Sequence, residues 1–129
     1  MATGTLGTTA RDYPARESQI AAQLTFANFG NNATGFKIGT IPAGSIVVRA
    51  YSGISTAFDG TTPTIKIGTS AGGAQLVAAG VLTAGMNVLT VIGVAPFATD
   101  QAIYISSAQT GGTVGAGFVA VEFINPGAA

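Results

Sequence analysis

The 129-residue chain reads as an all-β protein: an antiparallel β-sandwich of jelly-roll type, preceded by an extended N-terminal arm. Three observations predict this. Apolar residues alternate with period two in one segment after another. Gly, Pro and Asn separate those segments at the roughly 8–12-residue spacing of sandwiches and small barrels. No stretch carries the 3.6-residue apolar period of an amphipathic helix. Seven or eight segments result, and a count of about eight suits a jelly roll.

Residues 1–17 come first. They are Thr-, Gly- and Ala-rich, then abruptly charged, and they lack either period. We read them as an arm outside the core, with a plain disordered tail as the alternative. Ile20, Ala22, Leu24 and Phe26 then alternate with Ala21, Gln23, Thr25 and Ala27, as a half-buried strand requires. Gly30 to Gly35 is dense in turn residues. Phe36 and Ile38 flank Lys37 in a short strand, and Ile41-Pro42-Ala43-Gly44 makes a turn, with Pro restricting φ and Gly supplying the unusual dihedral.

Ser45 to Ser55 is rich in Val, Ile and Tyr, the residues that fit a pleated surface. Ala57-Phe58-Asp59-Gly60 ends it with an Asp-Gly turn. Thr64 to Ile67 alternates again. Gln75 to Ala79 reads as either a short strand or one helical turn. Asn87 to Ile92, Ala102 to Ser106 and Phe118 to Phe123 complete the set, and Asn125-Pro126-Gly127 stops the last. Residues 18–129 thus form one β-sandwich domain.

Composition narrows the function. Only five Lys and Arg and five Asp and Glu are present, formal net charge is zero, and mean hydropathy is +0.50. Four of the ten charges fall on Arg11, Asp12, Arg16 and Glu17. Soluble surfaces are typically about 25–35% charged, and near-zero net charge promotes association. Much of the apolar content is Ala, a residue that buries little area, and hydrophobic stabilisation scales with area. Burial between subunits would supplement such a core.

A nucleic-acid partner needs a surplus of Lys and Arg, and so does an anionic membrane surface. Neither partner is expected. The longest uncharged stretch, Ile67 to Thr99, is broken by seven helix-disfavouring Gly and Pro residues, and a spanning helix needs about 20 mostly apolar residues. The first ten residues lack the basic and apolar regions of a signal peptide.

Catalysis is not expected either. His and Cys are absent, which removes the commonest general base and the thiolate nucleophile. No spacing pairs the carboxylates as glycoside hydrolysis requires. Asp59 reads as the first residue of an Asx turn, and Asp100 as a loop residue before a strand. A calcium site between such loops would need about six to eight oxygens, so no metal or cofactor is expected. The Gly-rich stretch 111–117 lacks a phosphate-loop Lys and reads as a hairpin connection.

The candidate functional residues are therefore interface residues: Arg11, Asp12, Tyr13, Arg16 and Glu17 in the arm, with Arg49 and Glu122. The last two each interrupt an apolar strand. A solvent-facing position explains either one. An inter-subunit salt bridge, or an inward charge that blocks edge-to-edge aggregation, is the sharper alternative.

Two stretches carry a family likeness. Ile41-Pro42-Ala43-Gly44-Ser45-Ile46-Val47-Val48-Arg49-Ala50-Tyr51 runs into Thr56-Ala57-Phe58-Asp59-Gly60-Thr61-Thr62-Pro63-Thr64-Ile65-Lys66-Ile67-Gly68-Thr69, and Gly115-Ala116-Gly117 precedes the final strand. The pattern resembles small tailed-bacteriophage virion proteins of the capsid decoration (cement) or head-fibre type. The resemblance implies a structural protein without catalytic residues, made in the host cytoplasm and placed on the capsid exterior. It implies a homo-oligomer, taken as a trimer, bound to the major capsid protein and stabilising the shell. A tail or head-fibre component with a receptor- or carbohydrate-binding role is the alternative. The arm lies outside the matching stretches, so its docking role is inferred from its charge and aromatic content alone.

Overall fold

Strand pairing in the computed structural model is nested, first with last and inward. The structure describes residues 16–125, with side chains from Ser18 onward. The arm residues Arg11, Asp12 and Tyr13 lie outside the described residues. Eight strands follow in order: β1 (Arg16–Thr25), β2 (Phe36–Ile41), β3 (Ile46–Thr56), β4 (Thr64–Gly68), β5 (Val77–Val81), β6 (Gly85–Leu89), β7 (Gln101–Ser107) and β8 (Ala116–Asn125). Thus β1 pairs with β8, β2 with β7, β3 with β6 and β4 with β5, all antiparallel.

That pattern describes one long double-stranded ribbon with its tip between β4 and β5. Two further pairings, β3 with β8 and β4 with β7, fold the ribbon on itself. Two four-stranded sheets result, ordered β1-β8-β3-β6 and β2-β7-β4-β5. Every connection except β4 to β5 crosses between them. This is the jelly roll expected from the alternation, and β5 is a strand, not the helical turn held open for Gln75–Ala79.

The core is what the alternation selects. Leu24, Ile54, Ile65, Ile67, Ile103, Ile105, Val119 and Val121 point inward from five strands and are almost wholly buried. Sheets in a sandwich sit about 10 Å apart, so branched aliphatics from both inner faces fill the layer.

One local element was not expected. Phe26–Gly30 forms a five-residue π-helical turn where the alternation continues β1. Its N-terminus is closed reciprocally: the Asn28 amide donates to Thr25 Oγ1 at 3.1 Å, and the Thr25 amide donates to Asn28 Oδ1 at 2.8 Å. The turn swings Phe29 into the core, fully buried, edge-on to Phe58 with ring centroids 5.3 Å apart. An aromatic pair of that geometry adds about 0.5–1.5 kcal/mol beyond its buried area.

The turn read at Ile41–Gly44 forms one residue further on. The Ser45 amide donates to the Pro42 carbonyl at 3.2 Å, and Gly44 takes φ +86°. Nothing crowds the missing Cβ there, so the dihedral alone selects glycine. Truncating a fully buried aliphatic tests the core. Ile105→Ala is expected to lower unfolding free energy by about 2–5 kcal/mol, read as a lower urea midpoint at unchanged slope.

Candidate functional site

The registers of the first sheet assemble its outer face row by row. Gln19 of β1 faces Glu122 of β8, which faces Arg49 of β3. Ala21, Ala120, Tyr51 and Val88 form the next row, and Gln23, Phe118, Gly53 and Met86 the third.

A bulge puts Arg49 on this face. Val47 pairs with Phe123 and Arg49 with Glu122, which leaves Val48 as the extra residue. Uninterrupted alternation from the buried Val47 would aim Arg49 into the core. The bulge resets the phase, which is how bulges re-aim side chains. Arg49 then meets Glu122 at 2.6 Å through Nη2 and donates from Nε to the same carboxylate oxygen at 2.8 Å. The Arg49 side chain is 57% exposed and that of Glu122 12%. The two residues singled out separately in the sequence are therefore partners within one chain, on a solvent-facing surface. Arg16 and Glu17 open β1 opposite Asn125 and Ile124.

Around this pair lies an apolar surface that the sequence reading missed. Tyr51 reaches across β8 to donate its hydroxyl to Gln19 Oε1 at 3.0 Å. Ala120, which points outward beneath that span, is wholly buried. The Arg49 guanidinium lies over the Tyr51 ring, 5.7 Å from its centroid, and Phe118 meets Tyr51 edge-on at 6.2 Å. A Cβ on Gly53 would strike the Phe118 ring, so only glycine lets that ring lie against β3. Met86 and Val88 stand 65% and 76% exposed on β6. Arg49, Tyr51, Met86 and Val88 line a shallow depression. Period two in Tyr51-Gly53 and Met86-Val88 was the available signal; the cross-strand register that joins them was not.

The opposite outer face differs in charge. Lys37 of β2 pairs with Tyr104 of β7, and Lys66 of β4 with Ser106 of β7. No acidic residue occurs in any of the four strands of that sheet. Among the described residues neither lysine has an ion pair; the one ion pair is Arg49–Glu122.

Loops at one end of the sandwich are laced by side chains. The Asp59 carboxylate accepts from the Thr113 amide at 2.7 Å, the Thr113 hydroxyl at 2.7 Å and the Val114 amide at 3.0 Å. These partners lie on the β7–β8 connection, so the local Asx turn expected at Asp59-Gly60 is replaced by a long-range staple. The Val114 amide first, then the Thr113 hydroxyl and amide, hold the exposed carboxyl down at about 2, from an ordinary 3.8. Both carboxylate oxygens are occupied. At the other end the Ala43 amide donates to Asp100 Oδ1 at 2.9 Å. Among the described residues no three His, Cys, Asp or Glu side chains converge as metal donors, and no helix is long and apolar enough to cross a membrane.

No protein-family model and no curated protein matches the chain. Solved structures do. A chain of the cyanophage Pam1 capsid asymmetric unit superposes with TM-score 0.60 and 19% identity, covering 95% of this chain and 94% of its own. A chain from the capsid of Ralstonia phage GP4 gives TM-score 0.63 and 16% identity, over 89% and 86% respectively. A chain from the acidic stable capsid structure of Helicobacter pylori bacteriophage KHP30 gives TM-score 0.54 and 11% identity, over 85% and 88%. The shared property is the fold, matched over most of each chain.

Two outcomes test these contacts. Asp59 is more acidic folded than unfolded, so its contribution is complete well above pH 3.8 and is lost as pH falls through about 2. The melting-temperature gap between wild type and Asp59→Ala should therefore hold constant at pH 5–7 and close toward pH 2. A double-mutant cycle on Arg49→Ala and Glu122→Ala should return a coupling of about 0.2–1 kcal/mol, the range of exposed pairs, and smaller in high salt.

Proposed function

We propose that this chain is a non-enzymatic structural protein of a phage virion. In this reading it decorates the capsid exterior, where it oligomerises, as a trimer, on the shell of the major capsid protein and stabilises that shell. One observation carries the reading: a jelly roll aligned over 85–95% of the chain with chains from three phage capsid structures. The composition agrees. A chain with ten formal charges and neither His nor Cys has little catalytic chemistry to offer and a surface suited to protein contact.

The mechanism is adhesion. A subunit that binds the assembled shell and not its dissociated parts shifts the equilibrium toward the shell by mass action. The lysine face, with Lys37 and Lys66 free of acidic neighbours in its own strands, favours an acidic patch on that shell. The arm supplies Arg11, Tyr13 and Arg16, residue types enriched among interface hot spots, and an extended segment can add a strand to a neighbouring sheet edge. Arg16 opens β1 opposite Asn125 of β8, so a deletion that spares β1 stops at Ala15.

The fibre or carbohydrate-binding alternative has less support. Sugars stack on open aromatic faces. Here the Tyr51 ring is covered by Arg49 and abutted by Phe118.

The test is co-sedimentation of the purified protein with shells of the cognate major capsid protein. Saturable binding and a raised shell melting temperature are expected, and removal of residues 1–15 should abolish binding. Full-length protein that leaves intact shells bare would rule out decoration.

A further inference from the structure

We propose that the outer face of the β1-β8-β3-β6 sheet, centred on Tyr51, Phe118, Met86 and Val88, is where a second copy of this chain docks. The inference rests on the self-association in the reading above and names its surface.

Exposure marks the patch. Val88, Met86 and Phe118 are 76%, 65% and 41% exposed. The register makes them neighbours: Val88 shares a row with Tyr51, and Met86 shares one with Gly53 and Phe118. The patch reaches the edge of the sheet, because β6 pairs with β3 alone. An apolar edge strand left open invites association. A partner seated on Met86 and Val88 would cover that edge as well.

Charge selects the occupant. Among the described side chains the charges of this face, Arg49 and Glu122, neutralise each other, so the best match is a surface without net charge. The chain itself is such a partner, with equal numbers of acidic and basic groups. The alternative homotypic contact, through the other sheet, would bring two copies of Lys37 and Lys66 together with no acid in those strands to offset them. Like charges set opposite each other across an interface cost several kcal/mol. Judged by its described side chains, the first face meets another copy without that cost.

Area is also sufficient. Strands of 10, 11, 10 and 5 residues, about 4.8 Å apart at about 3.4 Å per residue, present roughly 600 Å² in projection. Stable interfaces bury about 800 Å² per partner, a comparable amount once side-chain relief is added.

The full-length protein tests this by sedimentation velocity across a concentration series. Wild type should assemble at micromolar concentration. Val88→Lys and Met86→Lys, at exposed positions, should weaken assembly at least about tenfold with unchanged melting temperature of the dilute protein. Thr40→Lys, exposed on the other sheet, should leave assembly unchanged. The chain has no cysteine, so Met86→Cys can carry a single environment-sensitive fluorophore. Its emission should shift to the blue with concentration, and that of a label at Thr40→Cys should not. Wild-type assembly that Val88→Lys and Met86→Lys leave intact would overturn this assignment and leave the self-association reading standing. A wild type that remains monomeric at high concentration would overturn both.

Discussion

The pairing of β1 with β8 is the constraint on which the other elements depend. It joins Arg16 to Asn125 and runs unbroken through ten residue pairs to Thr25 and Ala116. With the ends of the described chain locked side by side, the strands between them nest as successive pairs. The ribbon has a hydrophobic inner side along its whole length, so it must fold to bury it, and the contacts of β3 with β8 and β4 with β7 do that. Each pairing outside the β4–β5 tip closes a long loop, and loop closure must come before the contacts that reward it. Such a fold stands or falls as a unit.

Nested sheets must bend, and the bending leaves its mark on the surface. Register shifts occur in β2 near Ile38, in β3 near Val48 and Ser55, and between β4 and β5 near Lys66. At Val48 the shift has a chemical consequence. It rotates Arg49 outward onto Glu122, so that neither charge is carried into the aliphatic layer, where an unpaired ion would be costly. The outer face then holds one self-neutralised pair among Tyr51, Phe118, Met86 and Val88. The other face keeps two lysines without a counter-ion in their strands. The sandwich thereby offers two unlike broad surfaces from a chain with few charges.

Much of the architecture was legible in the chain because alternation is a local signal. Ile65 and Ile67 flank Lys66, and Ile103 and Ile105 flank Tyr104; side-chain direction in a strand follows from parity alone. Turn chemistry was equally local: a glycine two positions after Pro42 marks a positive φ wherever the strands end up. The misreadings share one cause. Phe26 and Ala27 fit the alternation of β1, yet the chain leaves the strand there and Phe29 meets Phe58 in the core, a contact between residues too far apart in the chain for parity to signal. Asp59 beside Gly60 looks like a self-contained turn, yet its carboxylate is taken by amides more than fifty positions away.

Of the candidate site, Arg49 and Glu122 stood out as charges in apolar strands, but their mutual contact did not, because a bulge one residue earlier decides which side Arg49 faces. Residue order alone sufficed for an all-β domain, for the parity that sorts core from surface, and for a charge count of ten. Tertiary structure decided which strands lie together. That choice turned Tyr51, Met86, Val88 and Phe118, scattered over 68 positions, into one surface. Parity is written into each strand separately, whereas register is a relation between distant strands, settled only by the joint burial of all of them.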